Sequence, residues 1–148
     1  MRGTVDDYLR DVSCDQKVAV LETDIIQAGT ACIKRAYQIF VDQKYESKLM
    51  PAGMRGAYHA TALAGADMSM SLSPKICESL KSEEKIKGDM FKPVSQDIIS
   101  RLMRIREFKR AYEPDGMDQT EFITYGATQR TLSQFSDAGW KYIEEYQV

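Results

Sequence analysis

The stretch Leu49-Met-Pro-Ala-Gly-Met-Arg-Gly-Ala-Tyr-His-Ala-Thr-Ala-Leu-Ala-Gly-Ala-Asp-Met-Ser-Met-Ser-Leu-Ser-Pro-Lys75 constrains the fold more than any other part of the chain. Lys48-Leu-Met-Pro-Ala52 reads as a strand, with Pro51 at an end or bulge because proline cannot donate to a ladder. Gly53 and Gly56 flank Met54 and Arg55 in a tight turn, and residues 57–63 form a short helix stopped by Gly65, where a left-handed cap costs glycine little. Met68-Ser-Met-Ser-Leu-Ser73 alternates apolar and small polar residues with a period of two, the pattern of a second strand. Pro74 then opens a helix over 75–80. This is a βαβ unit with an arginine at the carboxyl end of its first strand, and ligands of such sheets bind beyond those ends.

The flanking segments are helical. Residues 4–12 form a short helix, joined by a polar connection through residues 14–17 to a long one running from about Thr23 to near Gln43. In that helix Ile25, Ile26, Gly29, Cys32, Ile33, Ala36, Ile39 and Phe40 recur every three or four residues, and Thr23 or Asp24 is placed to cap it. After a charged connection over 82–95 come two more helices. Ile98, Leu102, Ile105, Phe108 and Tyr112 make the stripe of the first. The second follows Pro114-Asp-Gly116, starts with a capping box at Asp118 and Glu121, and carries Phe122, Leu132, Phe135, Tyr142, Ile143 and Tyr146. Two strands alone leave edges and apolar surface unpaired, so the pattern points to part of a larger parallel sheet or barrel.

Composition narrows the class. At 148 residues, 43% hydrophobic and 28% charged, this is a globular chain of one domain's worth. A net charge of −2 gives no pull toward nucleic acid or an anionic membrane surface. There is no apolar run of membrane length and no signal-like start, so a cytoplasmic location is expected. Cys14, Cys32 and Cys77 are widely spaced and odd in number, the pattern of reduced thiols, with Cys32 and Cys77 packed on helix faces. Ligand clustering for a metal is absent, since His59 is the sole histidine, and it reads as a packing or solvent-facing residue. Serine-nucleophile chemistry lacks a partnered base at Ser69, Ser71 and Ser73. Lys75 stands in a first turn, where exposure keeps an amine protonated.

Several motifs, in order, resemble the transaldolase family. Leu63-Ala-Gly-Ala-Asp67 followed by Leu72-Ser-Pro74 is similar to that family's Leu-Ala-Gly-Cys-Asp and Ile-Ser-Pro, and Met50-Pro-Ala-Gly-Met-Arg55 to its Met-Gly-Ala-Ser-Phe-Arg. Gly3-Thr-Val-Asp-Asp-Tyr-Leu9 resembles the segment written Gly-Arg-x-x-Asp-x-Tyr, and Asp115-Gly-Met117 the Asp-x-Met before the closing helix. The resemblance implies an α/β fold, the C-terminal part of a (β/α)8 TIM barrel with about two parallel strands among helices. It also implies a carbohydrate-metabolism transferase of the pentose phosphate pathway that moves a dihydroxyacetone unit between sugar phosphates. That reaction runs through a lysine Schiff base, with no metal or organic cofactor.

By the same resemblance the lysine and its acid/base partners lie on strands upstream of Met1, so the chain is expected to hold no catalytic residue and to be inactive alone. What carries over is phosphate binding. Arg55 matches the family's phosphate-binding arginine, and a guanidinium fork suits two phosphate oxygens. The family's serine two positions earlier is Gly53 here, and its second phosphate arginine aligns with Thr4, with Arg2 near enough to substitute. Against this stands Arg55 as a plain surface ion pair. The expected partners are a sugar phosphate and, for the exposed apolar faces, a homo-oligomer or a complementing barrel half. The alternative to the enzyme fragment is a non-enzymatic helical oligomerisation or interaction module.

Overall fold

The computed structural model describes residues 2–82 and 88–146, with the side chains of residues 2 and 3 left aside. It consists of helices: α1 (Arg2–Asp15), α2 (Glu22–Asp42), α3 (Ala57–Leu63), α4 (Pro74–Lys81), α5 (Gln96–Leu102), α6 (Arg106–Tyr112) and α7 (Gly126–Phe135). A 3-10 helix, Gln119–Thr124, precedes α7, and a π-helical turn, Ser136–Trp140, leads from it into the last helix, α8 (Lys141–Glu144).

Among the described residues there is no strand, which corrects the expected α/β barrel portion to an all-α fold. The residues of the two expected strands are nonetheless extended and lie side by side in the same direction: the Ser69 amide donates to the Leu49 carbonyl at 3.2 Å and the Ser71 amide to the Pro51 carbonyl at 3.0 Å. A parallel ladder needs donation in both directions, and Pro51 has no N–H to return to Ser69. Two isolated bonds on one edge do not make a sheet. The period of two still records the environment: Met68, Met70 and Leu72 pack inward, whereas Ser69, Ser71 and Ser73 are exposed.

Two apolar cores share α2. Leu9, Ile25, Ala28, Ala31, Ile99, Leu102, Ile105 and Phe108 close the first between α1, α2, α5 and α6. Met54, Ala60, Leu63, Ile76 and Met90 form the second around α3 and α4, with Ile33 and Tyr37 of α2 packed against it. Full burial of the leucine, isoleucine, phenylalanine and methionine side chains among them stabilises by about 1.5–3 kcal/mol each.

Helix ends follow local chemistry, with differences from expectation. Ser73 caps α4 and Pro74 occupies its first turn. The cap of α2 is Leu21, not Thr23 or Asp24, and has no side-chain bond; Asp24 instead faces Arg101. The expected stripe from Ile98 to Tyr112 is one surface but two helices, since the chain turns between Met103 and Ile105. The Asp118 amide donates to the Glu121 carboxylate, the reciprocal half of a capping box, on a 3-10 helix. Both α1 and α2 end without glycine: Lys17 and Lys44 take left-handed conformations (φ 54° and 53°), and amides beyond them reach back to Ser13 and Phe40.

The stripe of the last helices is uncovered. Phe122, Ile123, Phe135, Trp140, Tyr142, Ile143 and Tyr146 are each at least half exposed, and Leu132 nearly so. The start of α7 is anchored, because Tyr125 donates its hydroxyl to the Glu107 carbonyl and meets the Tyr8 ring edge-on at 5.4 Å. Arg130 lies over the Tyr8 ring and pairs with Asp11. No helix among the described residues is long and apolar enough to cross a membrane.

Candidate functional site

Arg55 stands in the turn before α3, just after Gly53, whose φ of 68° lies in the left-handed region that glycine enters freely. That turn aims the Gly53 carbonyl at the arginine, and Arg55 donates to it through Nη1 at 3.1 Å. The other side of the guanidinium meets α1: Nε and Nη2 donate to Asp7 Oδ2 at 3.0 and 2.7 Å. Arg55 and Asp7 are 44% and 38% exposed, so this pair contributes on the order of 0–1 kcal/mol.

Asp7 serves a second arginine. Arg10, one turn further along α1, donates from Nη1 to Asp7 Oδ1 at 2.9 Å. Its Nε and Nη2 are held by the Glu22 carboxylate, the latter at 2.6 Å. Partial burial opposes ionisation of Asp7, yet the hydrogen bonds from Arg55 and Arg10 outweigh it and hold the carboxyl below its ordinary range. The Arg10 hydrogen bond lowers Glu22 in the same way.

Beneath this exposed cluster lies a closed one. The Arg55 amide donates to His59 Nδ1 at 3.1 Å, which leaves Nε2 to carry the proton. Nε2 faces Asp6 Oδ2 at 3.2 Å, near enough for a hydrogen bond but poorly aligned for one, and both side chains are shut off from solvent. Asp6 Oδ1 accepts from the Gly29 amide at 2.7 Å. Asp6 and His59 thus tie α1, α2 and α3 together directly under the arginine. The sole histidine is a packing residue, one of the two roles open to it in the sequence.

Of the expected phosphate-binding residues, Arg55 and Gly53 are brought into contact. Thr4 is half-buried on α1, one turn before Asp7 and so on the face that Arg55 touches. The Arg2 side chain lies outside the described residues, so its expected role as a substitute has no placement. Asp6, Asp7 and Arg10 escaped sequence reasoning as site residues. The adjacent acidic pair followed three positions on by an arginine was the available signal.

Elsewhere, an apolar hollow of about 250 Å³ is lined by Val5, Gly29, Cys32, Ile33, Leu49, Met50 and Pro51. It does not include Arg55, whose ion pairs lie on open surface. No disulfide joins the three cysteines; Cys14 is exposed and Cys32 and Cys77 are half-buried. Among the described residues every lysine except Lys34 is exposed, and the Lys34 ammonium donates to the carbonyls of Asp89 and Lys92 at 2.6 Å. No protein-family model, curated protein or solved structure matches the chain.

Proposed function

We propose that this chain holds the phosphate group of a sugar phosphate, in the manner its transaldolase-like motifs imply, and that the Arg55 guanidinium makes the contact. The observation that carries this reading is the placement of Arg55: its fork is steadied from behind by the Gly53 carbonyl and presents two N–H groups to a single carboxylate oxygen. A group so arranged is a receptor for oxyanions. The resemblance assigns the dihydroxyacetone transfer itself to a lysine imine. Exposed or carbonyl-bonded lysines suit that role poorly, because the amine must shed its proton to react. On this reading the chain binds and does not by itself catalyse, within a reducing, cytoplasmic compartment.

Titration of the protein with fructose 6-phosphate, followed by ³¹P NMR, tests the reading. Saturable binding that disappears in Arg55→Ala is expected, together with no covalent trapping by borohydride. Equal binding by Arg55→Ala, or a borohydride adduct, refutes it.

A second reading is favoured by a different observation, the exposed aromatic and aliphatic stripe from Phe122 to Tyr146. A run of large apolar side chains left exposed in this way is a motive for an interface. A discrete dimer in light scattering that binds no fructose 6-phosphate supports a helical interaction module instead.

A further inference from the structure

Two guanidinium groups converge on the carboxylate of Asp7, one from the turn before α3 and one from α1 itself. Arg55 gives Oδ2 two N–H bonds and Arg10 gives Oδ1 one, at 2.7–3.0 Å. Each arginine is also held from outside, Arg55 Nη1 by the Gly53 carbonyl and Arg10 Nε and Nη2 by Glu22. These bonds keep both forks pointed at the same spot when its occupant changes. The geometry points to Arg10 as the second guanidinium of the anion site and to Asp7 as its built-in occupant, which a phosphate dianion displaces. This inference rests on the phosphate-binding reading of Arg55 and extends it to Arg10, which no motif supplied, and to Asp7.

The physical case is one of charge and exposure. Arg10 and Arg55 would repel each other if the space between them were empty, and Asp7 offsets that repulsion with one negative charge. Its pairs are more than a third exposed, which places them among ion pairs of low net worth. A phosphate dianion brings twice the charge and three acceptor oxygens to the same donors, so it can replace a carboxylate that only needs to rotate about its own side-chain bonds. Glu22 stays on the far side of Arg10 throughout. Asp7 thereby sets specificity: a singly charged carboxylate ligand gains nothing over the residue already there, whereas a phosphate does.

The test uses inorganic phosphate as the probe and the arginine Nε–H resonances of ¹⁵N-labelled protein as the readout. In the unaltered protein the Arg10 and Arg55 signals are expected to move together and saturate at one concentration, while acetate moves neither. Asp7→Asn should bind phosphate about tenfold more tightly, a change of about 1.4 kcal/mol. Asp137→Asn, which removes the same charge from the distant pair with Lys141, should leave the affinity unchanged. Movement of Arg55 without Arg10, or equal affinity in Asp7→Asn, overturns the inference and leaves Arg55 as a lone phosphate ligand. If phosphate moves neither signal in either protein, the phosphate-binding reading falls as well. The experiment on the unaltered protein decides the role of Arg10 even if a variant does not fold.

Discussion

His59 and Asp6 face each other across 3.2 Å in a space without solvent, and each is tied to a different backbone amide, that of Arg55 and that of Gly29. The arrangement fixes the turn that carries Arg55 to two helices at once. Removing Asp6 takes the acceptor from the buried Gly29 amide, and removing His59 takes the acceptor from the Arg55 amide and leaves a cavity. His59→Ala and Asp6→Ala are each expected to lower the unfolding free energy by about 2–3 kcal/mol, as read by urea denaturation. Asp6→Asn should also destabilise, because its amide can present an N–H to the N–H of His59. A change near zero in all three variants would contradict this account.

Acid should weaken the fold through a specific carboxylate. Asp24 is buried and accepts two bonds from Arg101, at 2.6 and 2.9 Å, and the Arg101 hydrogen bond holds its carboxyl below the ordinary 3.8. A depressed folded value means stability that is present above the unfolded value and lost as pH falls through the folded one. Thermal midpoints are expected to fall below about pH 4.5, where Glu22 begins to matter, and further below 3.8. Asp24→Asn should be less stable than the parent at pH 7, with the gap closing toward pH 3. A gap that does not change with pH would show that Asp24 acts by packing rather than by charge.

Both long helices end on a lysine in a conformation that glycine adopts at lower cost. The Cβ of Lys17 and of Lys44 sits in the left-handed region, while the backbone bonds behind it close a helix-ending motif. Lys44→Gly and Lys17→Gly are expected to raise stability by relieving a left-handed cost of about 1–2 kcal/mol each, partly offset by the looser unfolded chain. Chemical denaturation measures this directly. A loss of stability at either position would mean that the lysine stem contributes more than its backbone strain costs.

The chain has a single tryptophan, Trp140, which lies 64% exposed within the uncovered stripe. If that surface associates, tryptophan emission should shift to shorter wavelength with rising protein concentration, and Phe135→Ser should abolish the shift. Emission unchanged across a hundredfold concentration range would argue against self-association through this face.

Local chemistry was legible wherever one segment decided it. The bounds of α3, the start of α4 at Pro74 and the course of α2 to within a residue follow from periodicity, glycine and proline alone. The strands were not legible, because a period of two reports alternating surroundings and says nothing of whether a neighbour can donate back. The missing N–H of Pro51 decided that. Apolar periodicity likewise drew Phe122 through Tyr146 as a stripe but not what lies against it. At the site, Arg55 stood out in its motif, whereas its partners did not. Asp7 is 48 positions away on α1, and only the folded chain brings the two together.

Because α2 forms a wall of both apolar cores, neither core can open without baring one of its faces. The two halves of the molecule are thereby bound into one thermodynamic unit, although α1 and α4 belong to different cores. Amide protons along the middle of α2, around Ala28 to Ala31, should be the last to exchange with deuterated water, at rates set by global unfolding alone.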